Sequence, residues 1–185
     1  MANRLFCTRA SAFAVVLVAF LVASAQGLSA GPEEIYASAD IDDKGQLRIV
    51  TKDGREILPK KEDEQVGFSR PRVSDNGRSV GWLAEFQNSS TSYPIPLKLM
   101  ILTNGGMQAF TGSGLPIWRW AFRDRGRRFA FEQETVHGGF GIHYELRDAA
   151  TGRLIDEYSP AYGPDNRIIP NQRTPRWVDE LKALK

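Results

Sequence analysis

The chain holds two histidines, His137 and His143, and they flank the run Gly138-Gly139-Phe140-Gly141. Imidazole titrates near neutral pH and is a frequent metal ligand. With Glu132, Glu134 and Glu145 close in sequence, this segment could hold a metal ion or move protons in a hydrolysis. Side chains two apart on a strand share a face, which pairs His143 with Glu145 and leaves His137 across a turn. The spacing supplies no third ligand. No metal or cofactor is therefore expected, and a metal-dependent or histidine-based hydrolase centred on His137 and His143 stands as the alternative reading.

A second pattern is cationic. Residues 70–131 carry nine basic against three acidic side chains, while both flanking segments are net acidic. Arg119, Arg123, Arg125, Arg127 and Arg128, interleaved with Trp and Phe, could meet a nucleic acid or an anionic glycan. Arginines beside turns are ordinarily solvated, and acidic flanks can pair with them, so no nucleic-acid partner is expected. His-Gly-Gly also resembles the oxyanion loop of esterases, but the chain has no Gly-x-Ser-x-Gly nucleophile elbow. Asn88-Ser89-Ser90 matches a glycosylation acceptor.

The N-terminus sets the expected compartment. Arg4 and Arg9 precede an uncharged apolar run from Ser11 to Ala25, which closes on Ala23-Ser24-Ala25, with Leu28-Ser29-Ala30 a second candidate cleavage point. This is the grammar of an export signal over residues 1–25, and the run is shorter than the roughly 20 residues a membrane anchor needs. The mature chain is then expected in the periplasm or outside the cell, without membrane attachment. Removing Arg4 and Arg9 from 24 basic residues leaves 22 against 22 acidic ones, a formal charge of zero. Cys7, the one cysteine, leaves with the signal, so no disulfide supports the fold and the core must do so alone.

What would position these residues is β-structure. Residues 47–58 read as a hairpin turning at Lys52-Asp53-Gly54. The same grammar returns over 97–110 around Asn104-Gly105-Gly106 and over 142–158 around Ala150-Thr151-Gly152. Between them, Arg72-Val73-Ser74-Asp75-Asn76-Gly77-Arg78-Ser79-Val80-Gly81-Trp82 superimposes on Ala121-Phe122-Arg123-Asp124-Arg125-Gly126-Arg127-Arg128-Phe129-Ala130-Phe131 at an offset of 49 residues. A period of that length marks repeated β-units. Alternation predicts that Trp118, Trp120 and Phe122 share one strand face, with Phe129 and Phe131 following after the turn. The expectation is all-β: ten antiparallel strands in about two and a half four-stranded, blade-like units over residues 26–158.

Pro71 to Trp82 resembles the WD-like repeat of TolB-type β-propellers, whose blades open with Pro-x-aromatic-Ser-Pro-Asp-Gly, two polar residues and an apolar triplet. Pro71, Ser74, Gly77, Val80 and Trp82 fit this pattern. Val73 replaces the aromatic, and Asp75-Asn76 replaces Pro-Asp. In the second copy Trp120 stands at the Pro position, Phe122 restores the aromatic, and Arg123 and Arg125 depart. The resemblance covers two short segments. It implies blade-like sheets and a protein-binding or scaffold role, with no catalytic residues to carry over.

Propellers usually close with four to eight blades, so this chain is expected as an open stack, a sandwich-like derivative, or one part of a homo-oligomeric ring. Residues 159–175 are rich in Pro, Asn and Gly and read as a strap. A short helix follows, with Thr174 as N-cap, Pro175 at the first helical position, and Trp177, Leu181 and Leu184 on one face. That face is expected to pack on the chain's own sheets. The leading reading is an exported, non-enzymatic binding or scaffold module whose partner is an envelope protein or glycan. If the units run as in propellers, one rim gathers the turns at 88–96, 112–117 and 137–141. Tyr93, Trp118, His137 and Phe140 are then the expected contacts.

Overall fold

The computed structural model describes residues 35–138 and 141–184; the export signal expected over residues 1–25, and Phe140, lie outside them. Among the described residues, eleven strands form three antiparallel sheets, each in chain order. The first contains β1 (Tyr36–Ile41), β2 (Leu47–Thr51) and β3 (Glu56–Ile57). The second contains β4 (Gln65–Val73), β5 (Ser79–Phe86), β6 (Ile95–Thr103) and β7 (Gly106–Phe110). The third contains β8 (Ile117–Arg123), β9 (Arg128–Gln133), β10 (His143–Asp148) and β11 (Leu154–Tyr158). The fold is therefore all-β with blade-like sheets, and the lone hairpin expected at 47–58 gains a third strand in β1. Tyr36-Ala-Ser-Ala-Asp-Ile carries too few large apolar residues to announce a strand.

Alternation assigns each strand two jobs. On β5, Val80, Trp82 and Ala84 pack with Tyr36, Leu47 and Ile49 of the first sheet. Leu83, one residue out of phase, packs with Trp120, Phe129 and Phe131 of the third. The middle sheet is thus apolar on both faces, and the sheets stack without closing into a ring. The repeated glycines serve these junctions as well as the turns. Gly77 (φ 71°) and Gly126 (φ 85°) occupy the left-handed region that glycine tolerates best. A Cβ on Gly126 would stand 2.5 Å from the Cβ of Ser74 in the preceding copy, and one on Gly77 would stand 2.7 Å from Ile35.

One aromatic leaves the expected row. Trp120 and Phe122 face the second sheet, but a bulge between Ile117 and Arg119 breaks the alternation. Ile117 is fully buried in that layer, and Trp118 is partly exposed instead.

The ends of the stack are finished differently. Away from the core, the first sheet is polar: Arg48 pairs with Glu56 and lies opposite Asp40. On the third sheet, α1 (Arg176–Lys182) buries Val178 and Leu181 against Ala121, Ala130, Tyr144 and Leu146, with Trp177 and Leu184 at the margin. The helix does pack on the chain's own β-layer, but the buried face is centred on Val178 and Leu181, so that of the expected Trp177, Leu181 and Leu184 only Leu181 is fully buried. Its start differs. Pro175 is the capping residue (φ −59°, ψ 139°) and no side chain caps the helix, so Thr174 does not act as N-cap. The Trp177 indole N–H donates to Asp156 Oδ2 at 2.8 Å, joining helix and β11. No described helix is long and apolar enough to cross a membrane.

Candidate binding rim

At the end of β9, Gln133 is fully buried, and its amide fastens the loop between β7 and β8. Its Oε1 accepts from the Ser113 backbone N–H at 2.7 Å and from the Ser113 hydroxyl at 3.2 Å. Its Nε2 donates to the carbonyls of Thr111 at 2.8 Å and Leu115 at 2.5 Å. Four bonds use every donor and acceptor site the side chain has. Gly112 (φ 50°) is required where the loop crosses this amide, because a Cβ there would stand 1.9 Å from Gln133 Oε1.

The β9–β10 loop is tied to the same place. The Glu134 N–H donates to the Pro116 carbonyl at 3.2 Å, and the Trp118 indole N–H donates to the Glu134 carbonyl at 3.0 Å. Arg70 in turn donates to the Trp118 carbonyl. Trp118 thereby sits at the junction with its indole edge fixed and part of its ring in solvent. His137 is exposed on the turn that Thr135 and Gly138 close through a 2.9 Å backbone bond. The structure thus brings Trp118 together with the loop that carries His137. Tyr93 stands on the separate β5–β6 loop and is 51 % exposed.

The two histidines have different surroundings. His143 Nδ1 lies 2.9 Å from Ser159 Oγ, and its Nε2 lies 3.2 Å from Glu145 Oε1. Arg147 Nε donates to the other Glu145 oxygen at 2.5 Å, and its Nη1 donates to the Gly152 carbonyl at 2.8 Å. The strand-face argument paired His143 with Glu145 correctly, but it missed Ser159. The signal was the hairpin register: Tyr144 opposite Tyr158 sets residue 159 beside residue 143. Serine, imidazole and carboxylate in line have the order of a nucleophilic relay. Here the buried carboxylate is already compensated by Arg147, which weakens its pull on a developing imidazolium. The chain of bonds fastens the start of the strap to β10. Among the described residues, no three His, Cys, Asp or Glu side chains are grouped to hold a metal ion.

The opposite face of the third sheet holds a second buried carboxylate. Burial raises the Glu132 pKa, and Arg119, 3.2 Å away, opposes the shift. The neighbouring Tyr144 hydroxyl is also pushed up, chiefly by burial and then by Glu132. Lys182 of α1 lies 5.3 Å from the Tyr144 ring centre. This cluster is the polar part of the helix seat. No family model matches the chain, and no curated protein matches it.

Proposed function

We propose that this protein is an exported, non-enzymatic binding module of the cell envelope that holds a protein or glycan partner against the rim at Trp118. The observation that carries this reading is the Gln133 staple. The buried amide holds the β7–β8 loop in one conformation, and the Glu134 backbone bonded to Pro116 and to the Trp118 indole ties the start of the β9–β10 loop beside it, so little ordering entropy opposes binding there. Trp118, fixed at its N–H and partly exposed, is the type of rigid amphipathic anchor that dominates recognition surfaces. His137 and Tyr93 extend the contact, and Phe140 joins them from the sequence. The open stack of repeated sheets is the scaffold that presents these loops.

A photo-crosslinking residue placed at His137 tests this reading in envelope extract. A discrete adduct is expected, absent when the crosslinker sits at Arg48 and lost in Trp118→Ala. Equal adducts from both positions, or an adduct that survives Trp118→Ala in a folded protein, overturn it.

The hydrolase reading draws on one observation, the line from Ser159 through His143 to Glu145. A fluorophosphonate probe decides it: labelling at Ser159 that disappears in His143→Ala favours catalysis. A Ser159 that stays unlabelled while a true serine hydrolase reacts removes it.

A further inference from the structure

An asparagine followed by glycine carries its own electrophile and nucleophile, and the fold decides whether they meet. The backbone nitrogen after the asparagine can attack the side-chain Cγ, and glycine leaves the path open because it has no Cβ. The chain has two Asn-Gly pairs, Asn76-Gly77 and Asn104-Gly105, and one Asp-Gly pair, Asp53-Gly54, open to the same ring closure. All three stand in turns between strands. In the β4–β5 turn, Asn76 Oδ1 accepts from the Ser74 hydroxyl at 2.8 Å and from the Arg78 backbone N–H at 3.0 Å. The Gly77 N–H donates to the Ser74 carbonyl at 2.8 Å, and Gly77 is buried. Neither partner can turn toward the other without breaking these bonds. In the β2–β3 turn, Asp53 Oδ1 accepts from the Thr51 hydroxyl and the Arg55 N–H, and the Gly54 N–H donates to the Thr51 carbonyl at 3.0 Å.

The β6–β7 turn has no such lock. Asn104, Gly105 and Gly106 are all exposed, and among the described residues the Asn104 amide has no hydrogen-bond partner. The Gly105 N–H meets the Thr103 hydroxyl at 3.1 Å, an exposed acceptor that water can replace. We infer that Asn104 is a self-modification site, converted through attack of the Gly105 nitrogen on its Cγ, while Asn76 and Asp53 are held out of reaction by their turns. Solvent base removes the Gly105 amide proton. The N–Cγ bond forms, the bond from Cγ to the side-chain nitrogen breaks, and ammonia leaves a five-membered succinimide. Water then opens the ring at either carbonyl, giving aspartate or isoaspartate with water as the only co-reactant. The product puts a carboxylate on an uncharged turn, and the isoaspartyl form adds one backbone carbon to the short connection between Thr103 and Gly106. β7 is an edge strand, and Met107 on it is 54 % exposed, so the change falls on the margin of the second sheet. The turn lies at the opposite end of β7 from the loop that leads to Trp118, so the site is independent of that rim.

The test is peptide mapping by mass spectrometry of the intact chain aged in mildly alkaline buffer, with isoaspartate detected by an isoaspartate methyltransferase. Amide-to-acid conversion is expected at Asn104, with both product isomers present. Two hydrogen bonds must break before Asn76 can react, so its conversion should be slower by at least about tenfold. In urea, where the turns are lost, the two sites should convert at comparable rates. Gly105→Ala should slow conversion at Asn104 at least about tenfold by crowding the nitrogen. Its added Cβ would stand 3.4 Å from Thr103 Oγ1, an ordinary contact, so the turn should keep its shape. Asn104→Gln, which would have to close a six-membered ring, is the second variant and should abolish the signal. Conversion of Asn76 as fast as Asn104 in the folded chain, conversion confined to the unfolded chain, or product without isoaspartate overturns the inference.

Discussion

Replacing Gly81 by alanine tests how closely the repeated sheets are fitted. A Cβ at this position would stand 2.5 Å from Cη2 and 2.9 Å from Cζ3 of Trp120, and 2.8 Å from Cδ1 of Ile101. Carbon pairs are most comfortable near 3.5–4.0 Å, so the added methyl falls about an ångström short. Trp120 is poorly placed to yield. Its indole N–H donates to the Arg70 carbonyl at 3.1 Å, and its ring meets Phe122 edge-on at 5.2 Å between centroids. Relief therefore needs the second and third sheets to part or the indole bond to break. Overpacking costs about 1–3 kcal/mol and a lost hydrogen bond about 1 kcal/mol. Reduced freedom of the unfolded chain returns about 0.4–1 kcal/mol. The net expectation is a loss of about 2 kcal/mol, which lowers the melting temperature by roughly 4–8 °C in a chain of this size. Urea and thermal unfolding of Gly81→Ala, Trp120→Phe and the pair measure the coupling directly. Trp120→Phe should cost less in the alanine background than in the parent. Equal costs in the two backgrounds, or a Gly81→Ala protein as stable as the parent, would refute the packing argument.

Gln133→Ala strips partners from Ser113, Thr111 and Leu115 and should cost about 2–3 kcal/mol; hydrogen exchange at the Ser113 amide should accelerate more than at strand amides of β9. Deleting residues 174–185 uncovers the seat of Val178 and Leu181, each contributing about 1.5–3 kcal/mol of burial before ordering costs. The truncated chain should melt lower and self-associate in sedimentation, and a monomer melting like the parent would exclude the seat as a stabilising contact. The raised Glu132 pKa means that the folded state holds this proton more tightly than the unfolded one. Its contribution is favourable below the ordinary glutamate range and is lost as pH rises through the folded value. Glu132→Gln should remove that decline from the stability–pH curve, and a curve with the parent's slope would contradict the assignment.

Features governed by local rules were legible before the structure. The three outer hairpins, the inner strand pairs and the docking of α1 on the sheets announce themselves through alternation, turn glycines and helical spacing, although Val178 rather than Trp177 fills the centre of the helix seat. Features governed by distant partners were not. Gln133 looks like any polar residue at a strand end, because its partners lie 18–22 positions back in the chain. The bulge at Trp118 moves one aromatic out of the row and puts Ile117 in its layer, a choice that the facing sheet makes. Ser159 reaches His143 through a hairpin register that turn composition alone did not fix. Tyr93, Trp118 and His137 could be named from exposure-prone turns. That Trp118 and the His137 loop share one hydrogen-bonded junction required the fold.

The two dissimilar ends of the stack have a consequence for how such a chain can change length. Polar pairing seals one terminal sheet and a helix seals the other, so both terminations are independent of how many sheets lie between them. The junction within repeats is carried by each copy's own turn, where Gly126 meets Ser74 and Asn76. Tandem duplication of one four-stranded unit would therefore extend the chain without redesigning either end. Each extra unit would add one more junction of the same kind, and chain length could change by unequal recombination rather than by redesign of the terminal sheets.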